Sequence, residues 1–174
     1  LRLFIDCCQA IQHAHQKGII HRDIKPSNVL VAVQDGQPIV KVIDFGIAKA
    51  FAGNNLKATR SGNTFATQFG EFLGTPQYMS PEQAALDGVP LDTRTDIYSL
   101  GALLYAILTG GPPFDADRLQ QATFDEMRQI VREEDPLRPS VQVRTRAAAQ
   151  ETAGSSGLLS TLRRLSQRLS GDLD

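Results

Sequence analysis

Apolar residues recur at helical spacing from the start of the chain. Leu3, Cys7, Ile11 and Ala14 share one face of a helix predicted over residues 1–17, with Gly18 as its C-cap. After a short extended piece at Ile19 and Ile20 the pattern changes. Val29–Val33 and Ile39–Ile43 are β-branched runs separated by the turn-rich stretch QDGQP, which predicts a hairpin. Its outgoing arm starts after Asn28 and its returning arm ends before Asp44, so both residues belong at the open end of the hairpin. Neighbouring strands lie about 5 Å apart, a scale on which two side chains can share one metal cluster.

Residues 47–73 are rich in Gly, Asn, Ser and Thr and lack sustained periodicity, which predicts a long loop, functional or mobile. A short helix follows at Pro81–Ala85, with Ser80 as N-cap and Pro81 in the first turn. Thr93-x-x-Asp96 reads as a helix-entry signal. Residues 97–108 are apolar almost all round, which predicts a buried helix stopped by Gly110, Gly111, Pro112 and Pro113. Phe124–Arg132 fits another helix, 135–157 reads as a flexible insert, and Leu158–Leu169 fits a final amphipathic helix.

Composition narrows the function classes. The 174 residues suffice for one domain with a sizeable core, and the formal net charge of −1 offers no electrostatic footprint for nucleic acid or a membrane surface. No stretch has the apolar length of a membrane span, and no signal peptide opens the chain. Cys7 and Cys8, adjacent and without metal-ligand spacing, read as reduced thiols of a cytosolic chain, one of them in the core. The chain starts at Leu1, inside an apolar-periodic segment, which leads to the expectation of a fragment.

Three motifs then carry the chemistry: HRDIKPSNVL at 21–30, DFG at 44–46 and GTPQYMSPE at 74–82. They place a base (Asp23), a phosphate-facing cation (Lys25) and two metal-ligand candidates (Asn28, Asp44) at the spacing that phosphoryl transfer to a hydroxyl requires. Taken singly, an Asp-x-Lys is usually a surface ion pair and a DFG is a turn. In this order and register the bland reading fails.

On these motifs the chain resembles the eukaryotic-type Ser/Thr protein kinases that also occur in bacteria. The resemblance implies an α+β, protein-kinase-like fold: a mainly helical C-lobe with a small β-hairpin carrying the catalytic and DFG loops. It covers 1–132 strongly, with a catalytic loop at 21–28 and an activation segment at 44–82. Residues 133–174 match loosely, as a flexible insert and an incomplete end of the lobe. No Gly-rich loop, strand lysine or helix glutamate precedes His21, so the N-lobe is absent from the chain.

The resemblance further implies ATP and Mg²⁺ as cofactors and protein Ser/Thr hydroxyls as acceptors. Asp23 and Lys25 would be catalytic, Lys25, Asn28, Leu30 and Asp44 would face the nucleotide, and Asn28 and Asp44 would hold the metal. Thr75 would contact Asp23 and Lys25 and dock the substrate. Arg22 would meet a phosphate on the activation segment, on Thr67 or Thr64 in preference to Thr59 or Ser61. His21 would pack on Phe45, Asp96 would tie down the catalytic-loop backbone, and Glu82 would pair with an arginine, for which Arg163, Arg164 and Arg168 are poorly placed. His13 and His15 read as surface or satisfied core residues.

Neither nucleic acid nor a membrane is expected as a partner of this segment. A homodimer for trans-autophosphorylation and a cytoplasmic site, in a parent that is membrane-tethered or free, fit the family. The isolated fragment is expected to be inactive, and the competing reading is a kinase-like remnant that binds or scaffolds partners without catalysis.

Overall fold

The computed structural model describes residues 1–46, 75–85, 90–152 and 159–170. Helix α1, Arg2–Gln16, buries Cys7, Ile11 and Ala14, the face that the periodicity marks, and closes with the Gly18 N–H donating to His15 O at 2.9 Å. Burial, aided by the neighbouring Cys8, pushes the Cys7 thiol up to about 11, so it stays protonated near neutrality. A 3₁₀ turn at Pro26–Asn28 leads into β1, Val29–Gln34, which pairs antiparallel with β2, Gln37–Val42, from Val29↔Val42 to Gln34↔Gln37. The turn is tighter than the five-residue connector expected. Asp35 and Gly36 both take positive φ, 51° and 75°, the conformation that matches a two-residue turn to the strand twist. Pro38 therefore lies inside β2, opposite Val33, at the edge position a strand proline tolerates.

Valines 29, 40 and 42 lean on the cluster of Cys7, Ile11, Ile24 and Leu103, joined by Phe4 and Leu100. A second cluster forms among elements that follow residue 80. Helices α2 (Pro81–Ala85), α4 (Ala116–Gln121) and α5 (Phe124–Glu133) bring together Ala84, Phe114, Leu119, Met127, Ile130 and Val131. Helix α4 is too short for its one buried position, Leu119, to show as a period in the sequence.

Helix α3, Thr93–Thr109, passes between these parts. Its N-cap is Asp92, whose carboxylate accepts the Arg94 N–H at 2.8 Å, so the entry signal sits one residue earlier than Thr93 suggests. The helix ends at Gly110, in the left-handed region at φ 80°. It is not buried all round: Ala102, Leu103 and Tyr105 are inside, while Ile97 and Ile107 stand exposed on a side that no described element covers.

Where a flexible insert was expected over 135–157, the described part holds a helix, α6, Pro139–Thr152, which packs against α7, Leu159–Leu169; residues 153–157 lie outside the described residues. Val143 is fully buried, Arg146 Nη1 donates to Thr109 O at 2.7 Å, and Ser166 Oγ donates to Ser140 O at 2.9 Å. Residues of loop-like polarity also include strong helix formers, here Ala, Arg and Gln, and Pro139 is tolerated in a first turn. With few apolar anchors, this helix exists through tertiary contact rather than through pattern.

Candidate active site

The 21–28 loop hangs from one carboxylate. Asp96, fully buried in the first turn of α3, accepts the His21 N–H at 2.8 Å, the Arg22 N–H at 2.7 Å and His15 Nε2–H at 2.7 Å. This clamp holds Arg22 at φ 65°, a left-handed conformation that costs a residue with a Cβ of order 1 kcal/mol or more. His21, also fully buried, joins the catalytic loop to the DFG segment. Its Nε2–H donates to Ile43 O at 3.0 Å while Nδ1 accepts the Asp23 N–H at 3.2 Å, which selects the neutral Nε2–H tautomer. Its ring lies 4.5 Å from that of Phe45. The Gly46 N–H closes the junction on His21 O at 2.7 Å, and a Cβ at residue 46 would fall 2.7 Å from the same oxygen. Only glycine fits there.

On this frame the polar residues of the loop converge. Asn28 is buried, and its Nδ2 donates to Asp23 O at 2.8 Å and to Asp23 Oδ2 at 3.2 Å. Lys25 Nζ lies 3.0 Å from the same Oδ2, and both side chains of the ion pair are about four-fifths buried. The Ile43 N–H donates to Asn28 O at 2.9 Å, which delivers Asp44 beside Asn28 at the open end of the hairpin. Asp44 is exposed at φ 55°, and among the described residues its carboxylate has no hydrogen-bond or ion-pair partner. Among the described residues, Asn28 Oδ1 receives only a long contact of 3.4 Å from Ser27 Oγ. Two oxygen donors thus remain available at the mouth of the site, the donor type that Mg²⁺ takes. Leu30 stands half-exposed on β1, opposite Lys41.

Residues 75–85 are fastened to the same frame. Thr75 precedes a 3₁₀ turn at Pro76–Tyr78, and Ser99 Oγ donates to Tyr78 O at 2.8 Å. Ser80 caps α2: its Oγ accepts the Gln83 N–H at 3.4 Å, and Gln83 Oε1 accepts the Ser80 N–H at 3.1 Å. Gln83 Nε2 then donates to Arg22 O at 2.8 Å. Glu82 Oε1 accepts the Thr95 hydroxyl at 2.8 Å, and Arg128 caps the carbonyls of Ala84 and Ala85. Thr59, Ser61, Thr64 and Thr67 lie outside the described residues.

Three contributors escaped the sequence reading: His15, Gln83 and Thr95. Ser80-x-x-Gln83 is a readable capping box, so the local half of the role of Gln83 was visible. The His15–Asp96 contact spans 81 residues, and no local signal announces it.

The family model for the protein kinase domain matches residues 2–168. The chain belongs to the protein kinase domain family. It is 44% identical over 142 residues to the serine/threonine-protein kinase PknB of Mycobacterium tuberculosis, which covers 82% of this chain and 20% of that protein. A probable serine/threonine-protein kinase of Streptomyces coelicolor is 44% identical over 141 residues, covering 81% of this chain and 18% of its own length. The chain thus spans about a fifth of the length of these kinases. Among solved structures, a doubly substituted kinase domain of Mycobacterium tuberculosis PknI superposes with a TM-score of 0.52 at 23% identity, over 97% of this chain and 53% of that one. That likeness establishes the kinase fold: a helix-rich lobe with a two-stranded hairpin. Among the described residues of this kinase lobe, no helix is long and apolar enough to cross a membrane.

Proposed function

We propose that this kinase lobe supplies the catalytic loop and metal ligands for transfer of the γ-phosphoryl group of ATP to Ser or Thr hydroxyls of proteins. One observation carries the reading: Asn28 and Lys25 both hold the Asp23 carboxylate, at 3.2 and 3.0 Å, with the loosely held Oδ1 of Asn28 and the exposed carboxylate of Asp44 at the same end of the hairpin. Asp23 Oδ atoms orient the acceptor hydroxyl and take its proton late, as the new P–O bond forms and the bond to the β-phosphate oxygen breaks. Lys25, tethered to Asp23, balances charge on the phosphoryl oxygens. Asn28 Oδ1 and Asp44 would hold Mg²⁺, which would neutralise charge on the ATP phosphates. Leu30 contributes an apolar floor for the base of the nucleotide, and Thr75 docks the acceptor residue.

Arg22 is the receiver for a phosphate on Thr67 or Thr64. Its Nε is buried and lacks a hydrogen-bond partner among the described residues, a donor that a phosphate oxygen would satisfy. The work belongs in the cytoplasm, where ATP is, and a second copy of the kinase is the natural agent of loop phosphorylation. The test is Asp23→Asn in the full-length kinase. The variant should bind ATP with Mg²⁺ at unchanged affinity yet lose transfer to a Ser/Thr peptide by about a thousandfold or more. Undiminished transfer by the variant would take the base role away from Asp23, and an inactive wild-type kinase would leave the binding-module reading in its place.

A further inference from the structure

The peptide that precedes Asp23 is gripped from both sides. On one side, Asp96 of α3 accepts the N–H groups of His21 and Arg22. On the other, Gln83 of α2 donates its Nε2–H to the carbonyl of Arg22 at 2.8 Å, 61 residues away in sequence. Arg22 needs such a grip, because φ 65° is not a conformation it holds by preference.

Gln83 has only one arm, and both ends of its amide are committed. Its Oε1 accepts the Ser80 N–H, completing a reciprocal cap with Ser80 Oγ, and this orients Nε2 toward the catalytic loop. Ser80 is itself fully buried, so the cap is fixed in place. We propose that Gln83 is a positioning residue that couples the seating of α2, the end of the activation segment, to the orientation of Asp23. When α2 is docked, the Arg22 carbonyl is held and Asp23 is presented. When α2 lifts, the carbonyl is released and the loop can leave the left-handed conformation.

The proposal rests on the reading of Asp23 as the base, but its geometry can be tested without turnover. Gln83→Glu is the discriminating change. A carboxylate keeps the acceptor that caps α2, since Glu suits the third position of a capping box, but it has no N–H for Arg22 O. Ser80→Ala does the converse, weakening the cap and leaving the Nε2 donor.

In the full-length kinase, Gln83→Glu should lower kcat for peptide phosphorylation roughly tenfold, the worth of one hydrogen bond to a backbone carbonyl. KM for ATP should move less than about twofold, because the metal ligands are untouched. Amide exchange of the peptide covering residues 20–24 should quicken by a similar factor while Tm stays near wild type. Ser80→Ala should instead lower Tm, with kcat per folded molecule close to wild type. Wild-type exchange at 20–24 in Gln83→Glu, or equal exchange in the two variants, would overturn the coupling. If the wild-type kinase transfers no phosphate, the catalytic reading falls, and the exchange measurement still decides whether Gln83 holds the loop.

Discussion

The lobe contains two apolar clusters of similar size that are stabilised in different ways. Around α1, the hairpin and α3, the apolar residues Cys7, Ile11, Ile24 and Leu103 share the interior with fully buried His21 and Asp96. Among α2, α4 and α5 the cluster of Phe114, Leu119, Met127, Ile130 and Val131 is apolar throughout. In the first region the decisive hydrogen bonds join residues 74 to 81 positions apart. In the second, α4 and α5 begin on caps three positions along, on the surface, while Arg128 of α5 reaches the carbonyls that end α2. Apolar contact is non-directional and tolerates repacking, whereas a buried hydrogen-bonded carboxylate fixes one backbone conformation or fails. The region that must hold Arg22 at positive φ uses the directional device. The region that only has to support α2 uses the tolerant one.

That contrast is open to direct attack. The largest effect is expected from Asp96→Ala, which leaves the N–H groups of His21 and Arg22 and the His15 ring without their acceptor. Breaking a buried charged network of this kind costs about 3–5 kcal/mol, and urea unfolding of the full-length kinase should show it together with lost phosphorylation. A loss below 1 kcal/mol would mean that the clamp is not what holds the loop. Next comes Met127→Ala in the apolar cluster, expected to cost about 2–4 kcal/mol. Its kcat per folded molecule should fall less than that of Gln83→Glu, since no directional contact to the 21–28 loop is lost. A fall in kcat matching that of Gln83→Glu would erase the distinction between the regions. The smallest effect is expected from Thr123→Ala, which removes the capping box at the start of α5. A drop in Tm of roughly 2–4 °C with no kinetic change would mark it as purely local.

Legibility followed the same division. The α1 face, the hairpin and the box at Ser80 were readable because each is a contact between near neighbours, set by period, turn chemistry or capping. The D-G pair also tightened the hairpin turn by local rules, although the flanking Gln and Pro suggested a longer connector. Helix α6 was misread for the opposite reason. Its anchors, Val143 and Ala147, are sparse, and its hydrogen bonds go to Thr109 and to the α7 serine, Ser166. Composition then pointed to a loop, while packing against α3 and α7 made a helix.

By itself the sequence determined the chemistry on offer: a carboxylate, a lysine and two oxygen donors in kinase order, on elements whose local periods and caps specify where they start and stop. Tertiary structure decided what holds that chemistry still. The acceptor for the amides of His21 and Arg22 comes from α3, the donor for the Arg22 carbonyl from α2, and the tautomer of His21 from the Ile43 carbonyl just past the hairpin. Local propensity cannot encode these, because each is a directional bond between groups far apart in the chain. They meet only after the apolar faces have packed.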